Sequence, residues 1–251
     1  MSKIALITGA TSGIGRATAL ILGKNGYDII ACGRRQERLQ KLQEELKGTC
    51  ETHPLVFDVR DQQAVNQAIG SLPGEWKNID VLVNNAGNAH GLAPINEGSV
   101  EDWDAMIDIN VKGLLYVSKV VVNGMVERKS GHIINIGSIA GKEVYPNGNV
   151  YCASKYAVDA INKGMRIDLG QHGIKVSAVH PGLVETEFSL VRFKGDKERA
   201  DSIYQNFSPL TAEDVAEIIL FTVTRPAHVN LADMIVFPTV QTTATTVHKS
   251  S

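Results

Sequence analysis

The chain has 251 residues, of which 43% are hydrophobic, and a formal net charge of −2. This length and composition provide one substantial core, so we expect a single domain over residues 1–251. The absence of a basic excess excludes nucleic acid and acidic membrane surfaces as expected partners. No apolar run approaches the roughly 20 residues of a membrane span, and the first residues lack the pattern of a signal peptide.

Cysteine and histidine usage narrows the class of protein further. The three cysteines, Cys32, Cys50 and Cys152, are odd in number and show no C-x-x-C spacing. They argue against a disulfide framework and favour a reducing compartment, so we expect a cytoplasmic protein. The seven histidines form no H-E-x-x-H or Cys/His cluster, and no metal site is predicted.

Short apolar runs alternate with longer amphipathic stretches along the chain. Strands are predicted at 3–8, 27–32, 52–57, 79–84, 131–136, 174–179 and 234–238. Helices are predicted at 13–24, 35–47, 61–71, 100–127, 149–171 and 211–224. The strands are continuously apolar, which is typical of strands buried on both faces. Alternation at this spacing indicates an α/β fold with a parallel sheet.

Two segments fall outside this alternation. Residues 183–209 form a long, charged insertion after a strand end, which is the usual position of a lid over a substrate. The tail 239–251, "TVQTTATTVHKSS", is polar, and we expect it to be poorly ordered.

The sequence "TGATSGIG" at 8–15 follows the first strand and opens the first helix. Gly9, Gly13 and Gly15 let the backbone turn sharply and approach a pyrophosphate, which then meets helix N–H groups. The alternative is a Gly-rich turn without a ligand. The strand–turn–helix setting favours the dinucleotide site.

Two arginines follow the second predicted strand, where a cofactor with a free 2′-hydroxyl usually meets an acidic residue. The sequence there is "CGRRQE", with Arg34 and Arg35 and no carboxylate at the strand tip. Because guanidinium groups suit a 2′-phosphate, the pattern favours NADP over NAD. Alternatively, these arginines lie on the helix surface and pair with Glu37 or Glu44.

Tyr151 and Lys155 are i, i+4 neighbours on a predicted helix and therefore share one face. A phenol has a pKa of about 10, and lowering it by about 3 units needs roughly 4 kcal/mol. One ammonium group about 5 Å away supplies about 3 kcal/mol at an effective dielectric of 20. The pair can therefore make a base in a partly dry cleft, with a bound nicotinamide cation supplying the rest. Taken alone, the spacing also fits an ordinary helix surface.

Several motifs, in chain order and across most of the chain, resemble the short-chain dehydrogenase/reductase family. They are "TGATSGIG" (8–15), "DV" (58–59), "NNAG" (84–87), Asn110 in "DINVKG", Ser138 in "INIGS", "YCASK" (151–155) and "PGLVET" (181–186). Other runs are similar to its NADP-dependent 3-hydroxy acid dehydrogenases: "GRRQERLQ" (33–40), "SVEDWDAMID" (99–108), "TEFSLVRFKGD" (186–196) and "PAHVNL" (226–231). The sequence departs from the family at His180, where many members carry Asn; we expect this to affect a loop hydrogen bond rather than the chemistry.

The resemblance implies a Rossmann-type doubly wound sheet of seven parallel strands and assigns roles by position. Tyr151 is the implied acid/base, Lys155 its partner, Ser138 the donor to the substrate oxygen, and Asn110 the anchor of a proton-relay water. Ser138 could otherwise be a turn residue, and Asn110 a mid-helix hydrogen-bonding residue. The implied cofactor-binding residues are Gly9, Thr11, Ser12, Gly13, Ile14, Gly15, Arg34, Arg35, Asp58, Val59, Asn85, Ala86, Gly87, Tyr151, Lys155, Pro181, Gly182, Val184 and Thr186, and Asn84 is expected to line the same floor.

The implied reaction is NADP-dependent oxidation of the hydroxyl group of small 3-hydroxy acids, such as L-serine, L-allo-threonine or 3-hydroxypropionate. A broad carbonyl reductase or a 3-oxoacyl-thioester reductase is the alternative on the same scaffold, because function depends on the substrate loop. An NADP-binding regulatory protein without turnover is the alternative from another class, and the intact Ser138–Tyr151–Lys155 set argues against it.

Two further expectations concern the substrate and the assembly. Arg192, in the predicted lid, is the candidate for binding a substrate carboxylate alongside Ser138 and Tyr151. Alternatively, Arg192 and Lys194 are solvated and pair with acidic residues of the same segment, Glu187, Asp196 or Glu198. The resemblance also implies a homotetramer that packs small residues of the helices across two-fold axes: Ala153, Ala157 and Ala160. Otherwise these alanines face the protein's own sheet.

Overall fold

The computed structural model describes residues 2–249, through which runs one sheet of seven parallel strands. The strands are Lys3–Thr8 (β1), Tyr27–Gly33 (β2), Thr52–Val56 (β3), Ile79–Asn84 (β4), Gly131–Ile136 (β5), Ile174–Pro181 (β6) and Asp233–Val236 (β7). Their order across the sheet is β3-β2-β1-β4-β5-β6-β7, and every neighbouring pair is parallel. The predicted seven-stranded Rossmann-type sheet is confirmed.

Helices connect the strands and cover both faces of the sheet. They are Gly13–Lys24 (α1), Gln36–Leu46 (α2), Gln62–Gly70 (α3), Val100–Ile107 (α4), Gly113–Arg128 (α5), Asn149–Gly170 (α6), Phe188–Arg192 (α7), Lys197–Ser202 (α8) and Ala212–Val223 (α9). None of the helices within residues 2–249 has the length and apolar character that a bilayer crossing requires.

The core lies on both faces of the sheet because successive strand side chains point to opposite sides. Leu6 packs in one apolar cluster with Val117 of α5, and its neighbour Ile7 packs in the other with Leu22 of α1 and Ile219 of α9. All five side chains are fully buried. This two-sided burial explains why the strands read as continuous apolar runs.

Three boundaries differ from the sequence prediction. The predicted helix 100–127 contains a π-helical turn, Asp108–Lys112, between α4 and α5. Strand β6 extends to Pro181, because the Gly182 amide still donates to Val236 of β7. Strand β7 ends at Val236 rather than at residue 238, and the proline at 238 has no N–H group with which to continue a ladder.

The polar tail packs against the rest of the protein as far as residue 249, so the expectation of disorder is wrong for that part. Gln241 is only 3% exposed, and its Oε1 atom accepts a 2.8 Å hydrogen bond from the Leu183 amide. The Ala244 amide donates to the Glu143 carboxylate at 2.7 Å. These bonds replace the water contacts that a polar tail would otherwise keep. Residues 250 and 251 lie outside the described part.

The chain reverses its direction of winding between β1 and β4, since β2 and β3 lie on one side and β5 to β7 on the other. In open parallel sheets, ligands bind beyond the carboxyl ends of the strands at such a switch point. The fold therefore places the loops after β1 and β4 at the expected centre of a binding cleft.

Candidate active site

A cleft of about 500 Å³ opens at the carboxyl ends of the strands. Predicted site residues from the loops after all of β1 to β6 line it: Gly9, Thr11, Ser12, Gly13, Ile14, Arg34, Arg35, Asp58, Val59, Asn85, Ala86, Gly87, Ser138, Tyr151, Lys155, Pro181, Gly182, Val184, Thr186 and Arg192. Three predicted residues do not reach it. Gly15 and Asn110 support it from behind, and Asn84 points into the core, where its amide donates to Ser118 and Asn135.

The Gly-rich loop is held close against the loop after β4. A Cβ atom on Gly9, whose φ is +69°, would lie 2.8 Å from the side-chain amide nitrogen of Asn85. A Cβ atom on Gly15 would lie 2.4 Å from the same nitrogen. Thr8 Oγ1 accepts 3.0 Å hydrogen bonds from the Asn85 and Ala86 amides. Only glycine fits this approach, and the loop is left with an open, backbone-lined cradle that suits a pyrophosphate.

Arg35 lies beside that cradle. Its Nη2 atom donates to Thr11 Oγ1 and Ser12 Oγ, both at 2.8 Å, and its Nη1 atom donates to the Glu187 carboxylate at 3.1 Å. Arg38 binds the same carboxylate at 2.7 Å. Arg35 therefore pairs with Glu187 rather than with Glu37 or Glu44, the partners of the alternative interpretation. A carboxylate between two guanidinium groups marks a place where an anion is stabilised.

Arg34 and Asp58 form the outer edge of the same end of the cleft. The Arg34 side chain is 58% exposed, and its Nη1 atom is 3.6 Å from Asp58 Oδ2. Asp58 also accepts from Arg60 at 2.7 Å. Burial alone would raise the pKa of Asp58, but its contacts with Arg60 and Arg34 outweigh burial and lower that pKa. Arg34 thus keeps donor atoms free for a phosphate.

Ser138, Tyr151 and Lys155 come together at the other end of the cleft. Ser138 lies in the turn after β5, where its Oγ atom accepts from the Ala140 amide at 3.1 Å. Tyr151 and Lys155 lie one turn apart in α6, 7% and 6% exposed. The Lys155 ammonium donates to the Ile136 carbonyl at 3.0 Å. The sequence-predicted set therefore shares one site, and its roles remain predictions.

The ionisation of Tyr151 differs from the sequence-based argument. Burial raises the pKa of Tyr151 above its ordinary value; the phenol of Tyr145 adds to this, while the Ser138 hydroxyl and Arg192 oppose it. Burial dominates the Tyr151 pKa in the protein alone, and the Lys155 ammonium is directed at the Ile136 carbonyl. Burial of Lys155 in turn lowers its own pKa to about 8. Both groups therefore favour their neutral forms more than in water.

Asn110 lies within the π-helical turn between α4 and α5, immediately behind the cleft. Its Oδ1 atom accepts from the Asn88 amide, and its Nδ2 atom donates to the Asn88 carbonyl and to Ser154 Oγ, all at 2.9 Å. Wider π turns are frequent at functional sites. Asn110 thus joins the loop after β4 to α6, and its expected role in a water relay remains a prediction.

Segment 183–209 folds over the cleft with α7 and α8. Arg192, at the end of α7, donates from Nη2 to the Tyr145 hydroxyl at 2.7 Å and from Nε to the Gly91 carbonyl at 3.3 Å. Its guanidinium carbon is 5.4 Å from the centre of the Tyr151 ring. Lys194 instead pairs with Asp102 at 3.0 Å. Within residues 2–249, neither Arg192 nor Lys194 pairs with Glu187, Asp196 or Glu198, the acidic residues of the alternative interpretation.

The structure adds cleft residues that the sequence analysis did not select. Tyr145 is one of them, and its hydroxyl accepts a hydrogen bond from Arg192. Glu187 joins the predicted lid to α2, and Gln241 reaches the cleft from the tail. Only Tyr145 had a sequence signal, its position between Ser138 and Tyr151. The other two depend on contacts between segments about 150 and 58 residues apart in the chain.

The motif order and this geometry agree with a comparison against family models. The model of the short chain dehydrogenases matches residues 3–196. The chain belongs to the short chain dehydrogenase family. Among curated relatives of this dehydrogenase, the NADP-dependent 3-hydroxy acid dehydrogenase YdfG of Salmonella typhi is 49% identical over 98% of the chain and 100% of its own length. Sulfoacetaldehyde reductase 2 of Chromohalobacter salexigens is 46% identical over 96% of each. The resemblance inferred from the motifs is confirmed.

Solved structures of family members show the same fold. The closed form of serine dehydrogenase complexed with NADP⁺ superposes with a TM-score of 0.92 at 48% identity, covering 98% of this dehydrogenase and 100% of that chain. Serine dehydrogenase from Escherichia coli superposes with a TM-score of 0.83 at 43% identity, covering 95% and 99%. The first of these matches covers almost the whole chain.

Proposed function

We propose that this dehydrogenase uses NADP to oxidise or form the hydroxyl group of small 3-hydroxy acids of the L-serine, L-allo-threonine or 3-hydroxypropionate type. One observation carries the substrate class: the guanidinium of Arg192 lies in the same end of the cleft as Ser138 and Tyr151, 5.4 Å from the Tyr151 ring. A carboxylate held there leaves the hydroxyl two carbons away for Ser138 and Tyr151. The names of the relatives at 48–49% identity agree with this class.

The cleft fits the cofactor. The crowded glycines leave a backbone cradle for a pyrophosphate, and Arg34, Arg35 and Arg38 bring three cations to the end where a 2′-phosphate would lie. When bound, NADP supplies the hydride acceptor or donor. The residues proposed to hold it are those that line the cleft from Gly9 to Thr186.

Tyr151 is the proposed acid/base of the reaction. In reduction its hydroxyl proton passes to the carbonyl oxygen, which Ser138 polarises by a hydrogen bond. In oxidation the substrate hydroxyl proton passes to the phenolate oxygen. Burial holds the proton on Tyr151 in the free protein, so phenolate needs added positive charge. Lys155 and Arg192 are cations of this chain that line the same cleft. Lys155 is the proposed partner of Tyr151, and Asn110 is the proposed anchor of a proton-relay water.

A steady-state assay tests this function. NADP⁺ should support turnover of L-serine, L-allo-threonine or 3-hydroxypropionate with a kcat/KM well above that for 2-propanol, and NAD⁺ should be a poorer cofactor. Preference for an uncharged ketone or for a 3-oxoacyl thioester would replace the proposal with one of the two alternatives on this scaffold. Tight NADP binding without turnover of any of these compounds would support a regulatory protein.

A second substrate is favoured by one observation. The 46% identical relative is named for sulfoacetaldehyde, whose sulfonate, like a carboxylate, is a small anion close to the reacting carbon. A guanidinium binds either anion through paired N–H donors. Sulfoacetaldehyde with NADPH therefore belongs in the same assay, and a higher kcat/KM than for any 3-hydroxy acid would make this the preferred function.

We further propose a cytoplasmic homotetramer. The thiols of Cys32, Cys50 and Cys152 are all free, as is usual where thiols are kept reduced. On α6, Ala153 and Ala160 are exposed and Ala157 is half-buried, so they do not face the protein's own sheet. Their exposure supports packing against other copies of the chain.

A further inference from the structure

His180 is a fully buried histidine near the end of β6, directly behind the turn that carries Ser138. Its ring packs against the backbone of Gly137, where an added Cβ atom would lie 2.3 Å from the ring Nδ1 atom. The same Nδ1 atom is 3.3 Å from the carbonyl oxygen of Ser138. The loop contact expected of His180 therefore belongs to a loop of the active site.

The Nε2 side of the ring faces charged groups from three other segments. Nε2 lies 2.8 Å from Asp233 Oδ1 of β7 and 3.9 Å from Asp159 Oδ1 of α6. The Lys142 ammonium binds these two carboxylates at 2.6 and 2.9 Å, and Lys163 binds Asp159 at 2.7 Å. Asp159, His180 and Asp233 have the chemistry of metal ligands. However, the ammonium groups of Lys142 and Lys163 together balance the two carboxylates, so the cluster is an ion-pair network that encloses the ring.

Hydrogen-bond chemistry decides which ring nitrogen carries the hydrogen. The Ser138 carbonyl can only accept, so Nδ1 must carry the hydrogen if the two are bonded. Nε2 meets no geometric criterion for a hydrogen bond within residues 2–249, although Asp233 Oδ1 lies 2.8 Å away. Burial is the largest influence on the pKa of His180 and lowers it, and Lys142 lowers it further. The carboxylates of Asp233 and Asp159 oppose this shift. The contact with the Ser138 carbonyl therefore requires hydrogen on Nδ1, while the Asp233 carboxylate lies beside Nε2.

We propose that His180 is a positioning residue for Ser138: its Nδ1–H group holds the Ser138 carbonyl and so aims the Ser138 hydroxyl at the substrate oxygen. The inference rests on the proposed function, in which Ser138 polarises that oxygen. The carbonyl also accepts from the Gly141 amide at 2.9 Å, and the hydroxyl accepts from the Ala140 amide. His180 thus supplies the third contact of the turn, from the side of the sheet.

Two substitutions separate the ring nitrogens. The amide nitrogen of Asn is as many bonds from Cα as Nδ1, and that of Gln is as many as Nε2. His180→Asn therefore keeps a donor for the Ser138 carbonyl, and His180→Gln loses it. Because small displacements of catalytic groups are costly, we expect kcat for His180→Gln to fall about 10- to 100-fold. The KM for NADP⁺ should change little, and His180→Asn should keep most of its kcat.

His132 provides the matched control. It is a buried histidine on the neighbouring strand β5, 4% exposed, and its Nε2 atom bonds to Ser177 Oγ at 2.8 Å rather than to the Ser138 turn. The same pair of substitutions at His132 should leave the kcat of the folded enzyme unchanged. Thermal unfolding of all four variants separates lost structure from lost catalysis.

A second measurement uses the unmodified protein. Nitrogen-15 NMR of histidine-labelled enzyme, with the His180 signal identified by its absence from His180→Asn, should show hydrogen on Nδ1. An Nδ1 atom without hydrogen overturns the proposal, and so does equal kcat for folded Asn and Gln variants. If the Gln variant fails to fold, the NMR measurement alone decides. Failure of the proposed function would give a different result. The wild-type enzyme would then be inactive on every proposed substrate, while the NMR spectrum would still show whether Nδ1 of His180 carries the hydrogen for the Ser138 carbonyl.

Discussion

The guanidinium of Arg192 lies over the ring of Tyr151, with 5.4 Å between the guanidinium carbon and the ring centre. This relationship brings a lid cation to the residue proposed to move the proton. Tyr145 fixes it in place by accepting a 2.7 Å hydrogen bond from Arg192. The proposed substrate-carboxylate site and the proposed site of proton transfer therefore lie side by side in the cleft.

Arg192→Ala should lower kcat/KM for 3-hydroxy acids far more than for an uncharged alcohol, which loses only the effect of the Arg192 charge on Tyr151. Loss of a desolvated ion pair to the substrate costs about 3 kcal/mol, or roughly 100-fold. Steady-state kinetics on L-serine, 3-hydroxypropionate and 2-propanol measure the split. Lys194→Ala is the matched control, since this neighbouring cation is 63% exposed and pairs with Asp102. Equal losses on acids and alcohol would remove Arg192 as the carboxylate site.

Arg34→Ala combined with Arg35→Ala should weaken NADPH binding roughly 10- to 100-fold through lost charge-assisted contacts, with much less effect on NADH. Fluorescence titration with both cofactors measures this. Arg16→Ala, which removes an exposed arginine of α1 paired with Glu45, is the control. If NADPH and NADH binding weaken to the same extent, the arginines are not selecting the 2′-phosphate.

Tyr151→Phe should fold, bind NADPH normally and lose about 10³-fold in kcat, because only the proton-transferring oxygen is removed. Burial also raises the pKa of this phenol in the free protein. An ultraviolet difference titration of wild type against the variant, without cofactor, should therefore show no Tyr151 ionisation below pH 10. Near-normal turnover by Tyr151→Phe would exclude it as the acid/base.

Lys155→Met should inactivate the enzyme and yet stabilise it at neutral pH. Burial lowers the pKa of Lys155 to about 8 from 10.5, so the unfolded chain binds more protons than the folded protein between these values. The free energy of unfolding of the wild type therefore rises with pH across this window. Urea unfolding at pH 7 and pH 10 should show the advantage of the variant shrinking at the higher pH. A variant less stable than wild type at pH 7 contradicts the prediction.

The proposed tetramer predicts a mass near four times 27.1 kDa at micromolar concentration. Light scattering measures it directly. A large charged side chain at the exposed Ala153 should dissociate the assembly, because it would bring like charges together across a two-fold axis. The same change at Ala227, an exposed alanine outside α6, is not expected to alter the mass of the protein. A monomeric wild type would contradict the proposal.

Local sequence determined the frame of this protein. Continuous apolar runs and a strand–turn–helix glycine motif placed β1 to β6 and the cofactor loop within about two residues, because these features depend on neighbours along the chain. The spacing of Tyr151 and Lys155 likewise identified a shared helix face. The tail was misjudged because a polar composition does not reveal the buried hydrogen bonds that Gln241 makes with the loop after β6.

Tertiary structure alone decided how charges meet in the cleft. Glu187 joins Arg35 and Arg38, Arg192 lies over Tyr151, and His180 supports Ser138 from within the sheet. Burial reversed the expected direction of the Tyr151 pKa, and the Lys155 ammonium is directed at a backbone carbonyl. Each of these depends on desolvation and on contacts between residues far apart in the chain. The sequence specifies which side chains are candidates for the site. Only folding sets the distances between them and their exposure to water.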